Sequence, residues 1–256
     1  NIISSSISID APVTLTTSSV WRARGGISIS GSIDGSFALT VDGVSSTQSI
    51  IALSGAIGEI TPLQSFSLQN SLLANLSSIF TNGGSIQISS ALQLNNHAIM
   101  SSAGGDISLN SIVDSKLGSH YNLSLAAGNG TIFLGNNLGG LTPLGSFTVN
   151  SAQNTYIEAP FLLTLGSTSI YSPVTTNVST LSITSESYGN IFITSFTGTD
   201  RGVQDINLAA TQNVQVGSIG SASKSLGTIS IRGDSVTLAG DVYAEGSLSI
   251  LNSGDL

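Results

Sequence analysis

The chain contains no cysteine, which excludes both a disulfide framework and thiolate chemistry. Charge is almost as scarce: Asp, Glu, Lys and Arg make up 8% of its 256 residues, against about 25% in an average soluble domain. Hydroxyls and amides must therefore wet most of the surface. The six cations, Arg22, Arg24, Lys116, Arg201, Lys224 and Arg232, are scattered through a chain of net charge −8. Phosphate contacts need grouped Lys or Arg, so no nucleic acid partner is expected. Long hydrophobic runs are missing as well. Pieces such as Phe161-Leu162-Leu163 fall far short of the roughly 18 apolar residues of a membrane helix, so no membrane span is expected.

What the chain has instead is repetition. Leu138-Gly139-Gly140-Leu141-Thr142-Pro143-Leu144-Gly145-Ser146-Phe147 echoes Ile57-Gly58-Glu59-Ile60-Thr61-Pro62-Leu63-Gln64-Ser65-Phe66 upstream. A looser third copy runs from Ile219-Gly220 to Leu226-Gly227, with one extra residue before the leucine and no proline. A second phrase recurs independently as Gly25-Gly26-Ile27, Gly104-Gly105-Asp106-Ile107 and Gly189-Asn190-Ile191. Both keep a spacing near 80 residues, and self-similarity at a fixed period marks a repeat architecture. The repeats are placed at about 10–88, 89–160 and 161–240, with the start of a fourth at 241–256. Gly58, Gly139 and Gly220 are expected to mark one corner of the structure, and Leu63 and Leu144 to occupy equivalent inward sites in stacked layers.

Between these phrases the sequence alternates with a period of two, as in Ile27-Ser28-Ile29, Ile86-Gln87-Ile88, Leu123-Ser124-Leu125 and Ile229-Ser230-Ile231. Such alternation is the pattern of a half-buried strand, and turn residues punctuate it too often for helices. Only Leu72, Leu73, Leu76 and Ile79 are briefly spaced like a helix, and the surrounding Asn, Ser and Thr favour turns there. Strands this short bury their apolar faces by stacking coil on coil. The expected fold is all-β, a right-handed parallel β-helix (β-solenoid) forming a single continuous segment over 1–256 with about four coils per repeat. An antiparallel sandwich or barrel fits the same alternation.

The residues that could carry chemistry are isolated. His97 and His120 have no second ligand at helical spacing and read as turn or surface residues. Asp34, Asp42, Asp106, Asp114, Asp200, Asp205, Asp234 and Asp241 sit among turn residues, where local hydrogen bonding alone favours aspartate. Trp21, between Val20 and Arg22, reads as a surface or core-capping side chain in preference to a ligand-stacking platform. Asn75, Asn122, Asn129 and Asn177 begin Asn-x-Ser/Thr sequons that carry little weight in so Asn-, Ser- and Thr-rich a chain. No regular Thr-x-Thr array or calcium-binding nonapeptide repeat is sustained. No catalytic, cofactor-binding or metal-ligating residue is assigned, and no cofactor.

The phrases Gly104-Gly105-Asp106-Ile107-Ser108-Leu109, Leu123–Leu134 and Leu138–Val149 resemble repeats of filamentous-haemagglutinin-like bacterial surface proteins, over most of residues 10–251. The resemblance implies a β-helical rod, extracellular or on the bacterial cell surface. Its implied role is non-catalytic: the shaft of an adhesin, or a subunit of a surface fibre or matrix. Partners would be further repeats or copies end to end, and a host or neighbouring-cell ligand. Asn1 follows neither an initiator Met nor a signal region, so the chain reads as a segment or a processed product. The alternative is a carbohydrate-active β-helix enzyme, which would place paired carboxylates on one face.

Overall fold

The computed structural model describes residues 1–254, without the side chains of 45–47; the last two residues of the fourth-repeat start, 255 and 256, lie outside the described residues. The described chain contains no helix, and every strand pairing is parallel. This removes the antiparallel sandwich and barrel. In each Ile-Ser-Ile triplet the isoleucines face in and the serine faces out, as at Ile27–Ile29. The inward side chains of one coil leave their upper and lower edges bare, and the coils above and below cover them.

Three columns of stacked strands result. The first face carries Ile2, Trp21, Val41, Leu68, Ile88, Leu109, Leu134, Ile157 and Thr176 on successive coils. It continues through Phe196 and Ile219 to Val242. The second face runs from Ile7 through Ile27, Ile51, Ala74, Leu92, Val113, Leu138, Leu162, Ile183 and Leu208 to Ile231. The third runs from Val13 through Ile33, Ile57, Ile79, Met100, Leu125, Val149, Ile170 and Ile193 to Val216. The chain is thus a β-solenoid of about 11 turns, which at the ordinary strand spacing is about 50 Å long.

Trp21 belongs to the first column and is buried, neither a surface side chain nor a platform. Arg22 and Arg24 flank it only because outward positions alternate with inward ones. The helically spaced leucines around residue 76 lie in strand Ser65–Leu76. That strand bends at Asn70, whose φ of 56° belongs to the left-handed region that Asn tolerates. Some interior hydroxyls pair with one another, Thr155 with Ser172 at 2.7 Å and Thr164 with both Thr168 and Ser185 at 3.1 Å, whereas the buried Ser71 hydroxyl has no hydrogen-bond partner.

The register corrects the expected corner. Counting strand segments from Ile33, which precedes the first glycine loop by one coil, to Val113, which precedes the second, gives eleven steps. Eleven thirds of a turn is a third of a turn short of four coils. The first loop therefore follows the third face, the second loop follows the second face, and the third loop follows the first face. The Gly-Gly phrases advance likewise, with Ile27, Ile107 and Ile191 on three different faces. Leu63 and Leu144 are both fully buried, but at different corners.

The widest coil carries the first of two charged braces. From Val41 to Leu68 the chain advances 27 positions, and the excess is shared between a bulge after Asp42 and the first glycine loop. The buried Asp42 carboxylate accepts hydrogen bonds from Val44 N–H at 2.9 Å and Asn70 Nδ2 at 3.1 Å, and pairs with Arg22 Nε at 3.2 Å. Burial alone would raise its pKa. The Val44, Asn70 and Gln69 hydrogen bonds and the Arg22 guanidinium outweigh burial and hold it below the ordinary aspartate value. Stability from a depressed carboxylate is present above the unfolded pKa of about 4 and is lost as pH falls through the folded value. Wild type should therefore melt at a higher temperature than Asp42→Asn at neutral pH, and thermal melts should show the gap closing as pH falls below about 4.

Candidate functional site

The three glycine loops share one construction, and it explains both glycine and leucine. Gly58, Gly139 and Gly220 have φ of 72°, 72° and 71°. Each donates its N–H to the coil below, to Ile33, Val113 and Phe196 carbonyls respectively, at 2.7 Å. In the coil above, Phe80, Leu163 and Tyr243 close the arch. Each donates N–H to the carbonyl before the glycine and accepts the N–H of Leu63, Leu144 or Leu226. A Cβ on the glycine would lie 2.2, 2.1 or 2.7 Å from that accepting oxygen, so glycine is required by backbone crowding as well as by φ.

The residue after the lower acceptor distinguishes the copies. In the first two it is aspartate: Asp34 Oδ1 accepts Ile60 and Thr61 N–H at 3.0 and 3.1 Å, and Asp114 Oδ1 accepts Leu141 and Thr142 N–H at 2.9 and 3.3 Å. The braced tips hold Ile60 and Leu141 out, each 82% exposed. In the third copy the position is Thr197, and the loop closes on itself through Ser221 and Lys224. There Arg201 pairs with Glu245 at 2.5 Å, and Glu245 also accepts the Ser225 hydroxyl. The Arg201 and Ser225 hydrogen bonds hold the Glu245 carboxyl below the ordinary glutamate value.

Removing one brace should expose its role. Asp114→Ala leaves the Leu141 and Thr142 amides without their acceptor and should cost about 1–3 kcal/mol. Hydrogen exchange should quicken at those two amides, and Asp114→Asn, which keeps an acceptor oxygen, should restore most of the protection.

Of the other aspartates, Asp106, Asp205 and Asp234 reach a neighbouring coil, whereas Asp200 bonds its own sequence neighbour. Asp106 accepts Thr131 N–H at 2.8 Å and Asp205 accepts Thr228 N–H at 2.5 Å, while Asp234 accepts the Ser253 hydroxyl and Asp200 that of Thr199. Asp241 is exposed. His97 Nδ1 accepts Asn122 N–H at 2.9 Å, which places its ring proton on Nε2 when neutral, and His120 Nδ1 donates to Pro143 O at 3.1 Å. His97 meets Tyr121 edge-on, with centroids 5.7 Å apart. Among the described residues no three of His, Asp and Glu come together in a metal-holding group. Of the sequon asparagines, Asn75 lies within a strand, and Asn122, Asn129 and Asn177 are exposed.

Comparison with family models, curated proteins and solved structures finds no match. No helix of the described residues is long and apolar enough to cross a membrane.

Sequence reasoning placed the aspartates in turns and missed their reach to the next coil. The signal was present: Asp34 and Asp114 precede Thr61-Pro62 and Thr142-Pro143 by nearly equal intervals of 27 and 28 positions. It also passed over Glu186 and Arg232, which share a groove.

Proposed function

We propose that this chain is a non-catalytic extracellular rod, the shaft of a bacterial surface adhesin or a subunit of a surface fibre or matrix that mediates attachment. The observation that carries the reading is the use made of carboxylates. Asp34, Asp106, Asp114 and Asp205 each accept backbone N–H groups from the coil above, so they lock coil to coil along the axis. A stack locked in this way resists extension, because pulling along the axis loads every inter-coil ladder. The right-handed rule for parallel crossovers supports right-handed winding, which we include in the proposal.

Partners in this reading are further coils or copies stacked end to end, together with a cell-surface ligand. Ile2 and Ile250, which face inward on the first and last coils yet stay 39% and 44% exposed, are apolar groups that an end-to-end contact would cover. Single-molecule stretching and electron microscopy test the rod. Expected are particles about 50 Å long per chain and cooperative rupture at high force. Extension at negligible force would overturn the mechanical role. Incubation with polysaccharides should release no product; product release abolished by Asp34→Asn or Asp114→Asn would replace the rod by a carbohydrate-active enzyme.

A further inference from the structure

At the corner between the second and third faces, inward side chains shrink from coil to coil. Thr164, Ser185 and Ala210 are partners on successive coils. On the next coil Arg232 pairs with Ala209, and Gly233 follows it. The Thr164 and Ser185 hydroxyls satisfy one another, and above them the corner is unfilled. A groove of about 360 Å³ runs there across four coils, walled by Thr184, Glu186, Thr211, Arg232 and Ser253 and floored by Ala210. A tight turn stands beside it: Gly189 N–H donates to Glu186 O, and Tyr188 and Gly189 N–H both donate to Thr211 Oγ1. That turn fixes Tyr188, 82% exposed, next to the groove wall.

The wall groups define their complement. Arg232 only donates, Glu186 only accepts, and the Thr and Ser hydroxyls do both. Opposite charges on the two walls select neither anion nor cation. A partner that donates and accepts at every step along the axis matches this set, and an exposed aromatic offers an apolar face to the ring of each unit. We propose that the groove binds a saccharide chain lying along the rod, held by Glu186 and Arg232, with Tyr188 against a sugar ring. This rests on the reading of the chain as an attachment rod and names the ligand class for it.

Calorimetric titration of the whole chain with gluco-, manno-, xylo- and galacturonate hexasaccharides tests the proposal. At least one should bind, and Arg232→Ala and Glu186→Gln should each weaken it about tenfold or more without changing the melting temperature. Tyr188→Ala should weaken it too. Failure of all four to bind at millimolar concentration, or binding undiminished in the Arg232→Ala/Glu186→Gln double variant, would overturn the site. Binding of extended peptides lost in the same variants would overturn the ligand class. With rods intact by electron microscopy those failures leave the rod reading standing, whereas cleavage of the bound saccharide would overturn the rod reading itself.

Discussion

Leu144→Asp is expected to unfold the middle of the rod. Leu144 is fully buried, its N–H is held by Leu163 O and it bridges to Thr164. A carboxylate there loses the leucine packing and finds neither water nor a cation, for a combined cost of at least about 4 kcal/mol. Because each coil is covered only by its neighbours, the damage spreads along the axis before it spreads anywhere else. Circular dichroism should show a fall in melting temperature, and hydrogen exchange should show the earliest loss of protection around 138–165. Wild-type melting in this variant would mean that the leucine is not a core residue.

Gly139→Val is the second large effect, and its cause can be separated into two parts. The φ of 72° disfavours any side chain, and a branched one most. The Leu163 carbonyl oxygen, 2.1 Å from the site of a Cβ, belongs to backbone and cannot swing aside. The sum should reach at least about 3 kcal/mol. Gly118 has a similar φ of 76° with nothing within 4 Å of its Cβ site. Gly118→Ala should thus report the conformational part alone, about 1–2 kcal/mol. Chemical denaturation of both variants separates crowding from φ, and equal losses would show that the inter-coil approach at Gly139 is unimportant.

The two glycines also show how far the sequence could be read. Alternation in Ile27-Ser28-Ile29 and its kin named the inward residues, because which side chain faces the core is set within a strand. Parallel pairing was not written there, since an antiparallel strand alternates identically. The corner of each loop was hidden for a different reason. One coil of the first face advances 19 positions from Ile2 to Trp21 and another 27 from Val41 to Leu68. An 80-residue period divided by an average coil cannot resolve a third of a turn. At Trp21 the neighbouring Arg22 and Arg24 point to solvent, while the same alternation puts Trp21 and Ala23 inside. Local turn preference already accounts for an aspartate at 34 and 114, so their reach one coil away shows only in the matched 27- and 28-residue intervals to Thr61 and Thr142.

The eleven-strand advance bears on what a lateral neighbour would meet. Each glycine loop inserts extra residues at one corner of its coil, and in the first two copies it pushes an apolar tip sideways, with Ile60 and Leu141 each 82% exposed. The three loops fall on three different corners, about 18 Å apart along the axis. No single edge of the chain carries all three, so a flat partner laid along one edge meets one loop only.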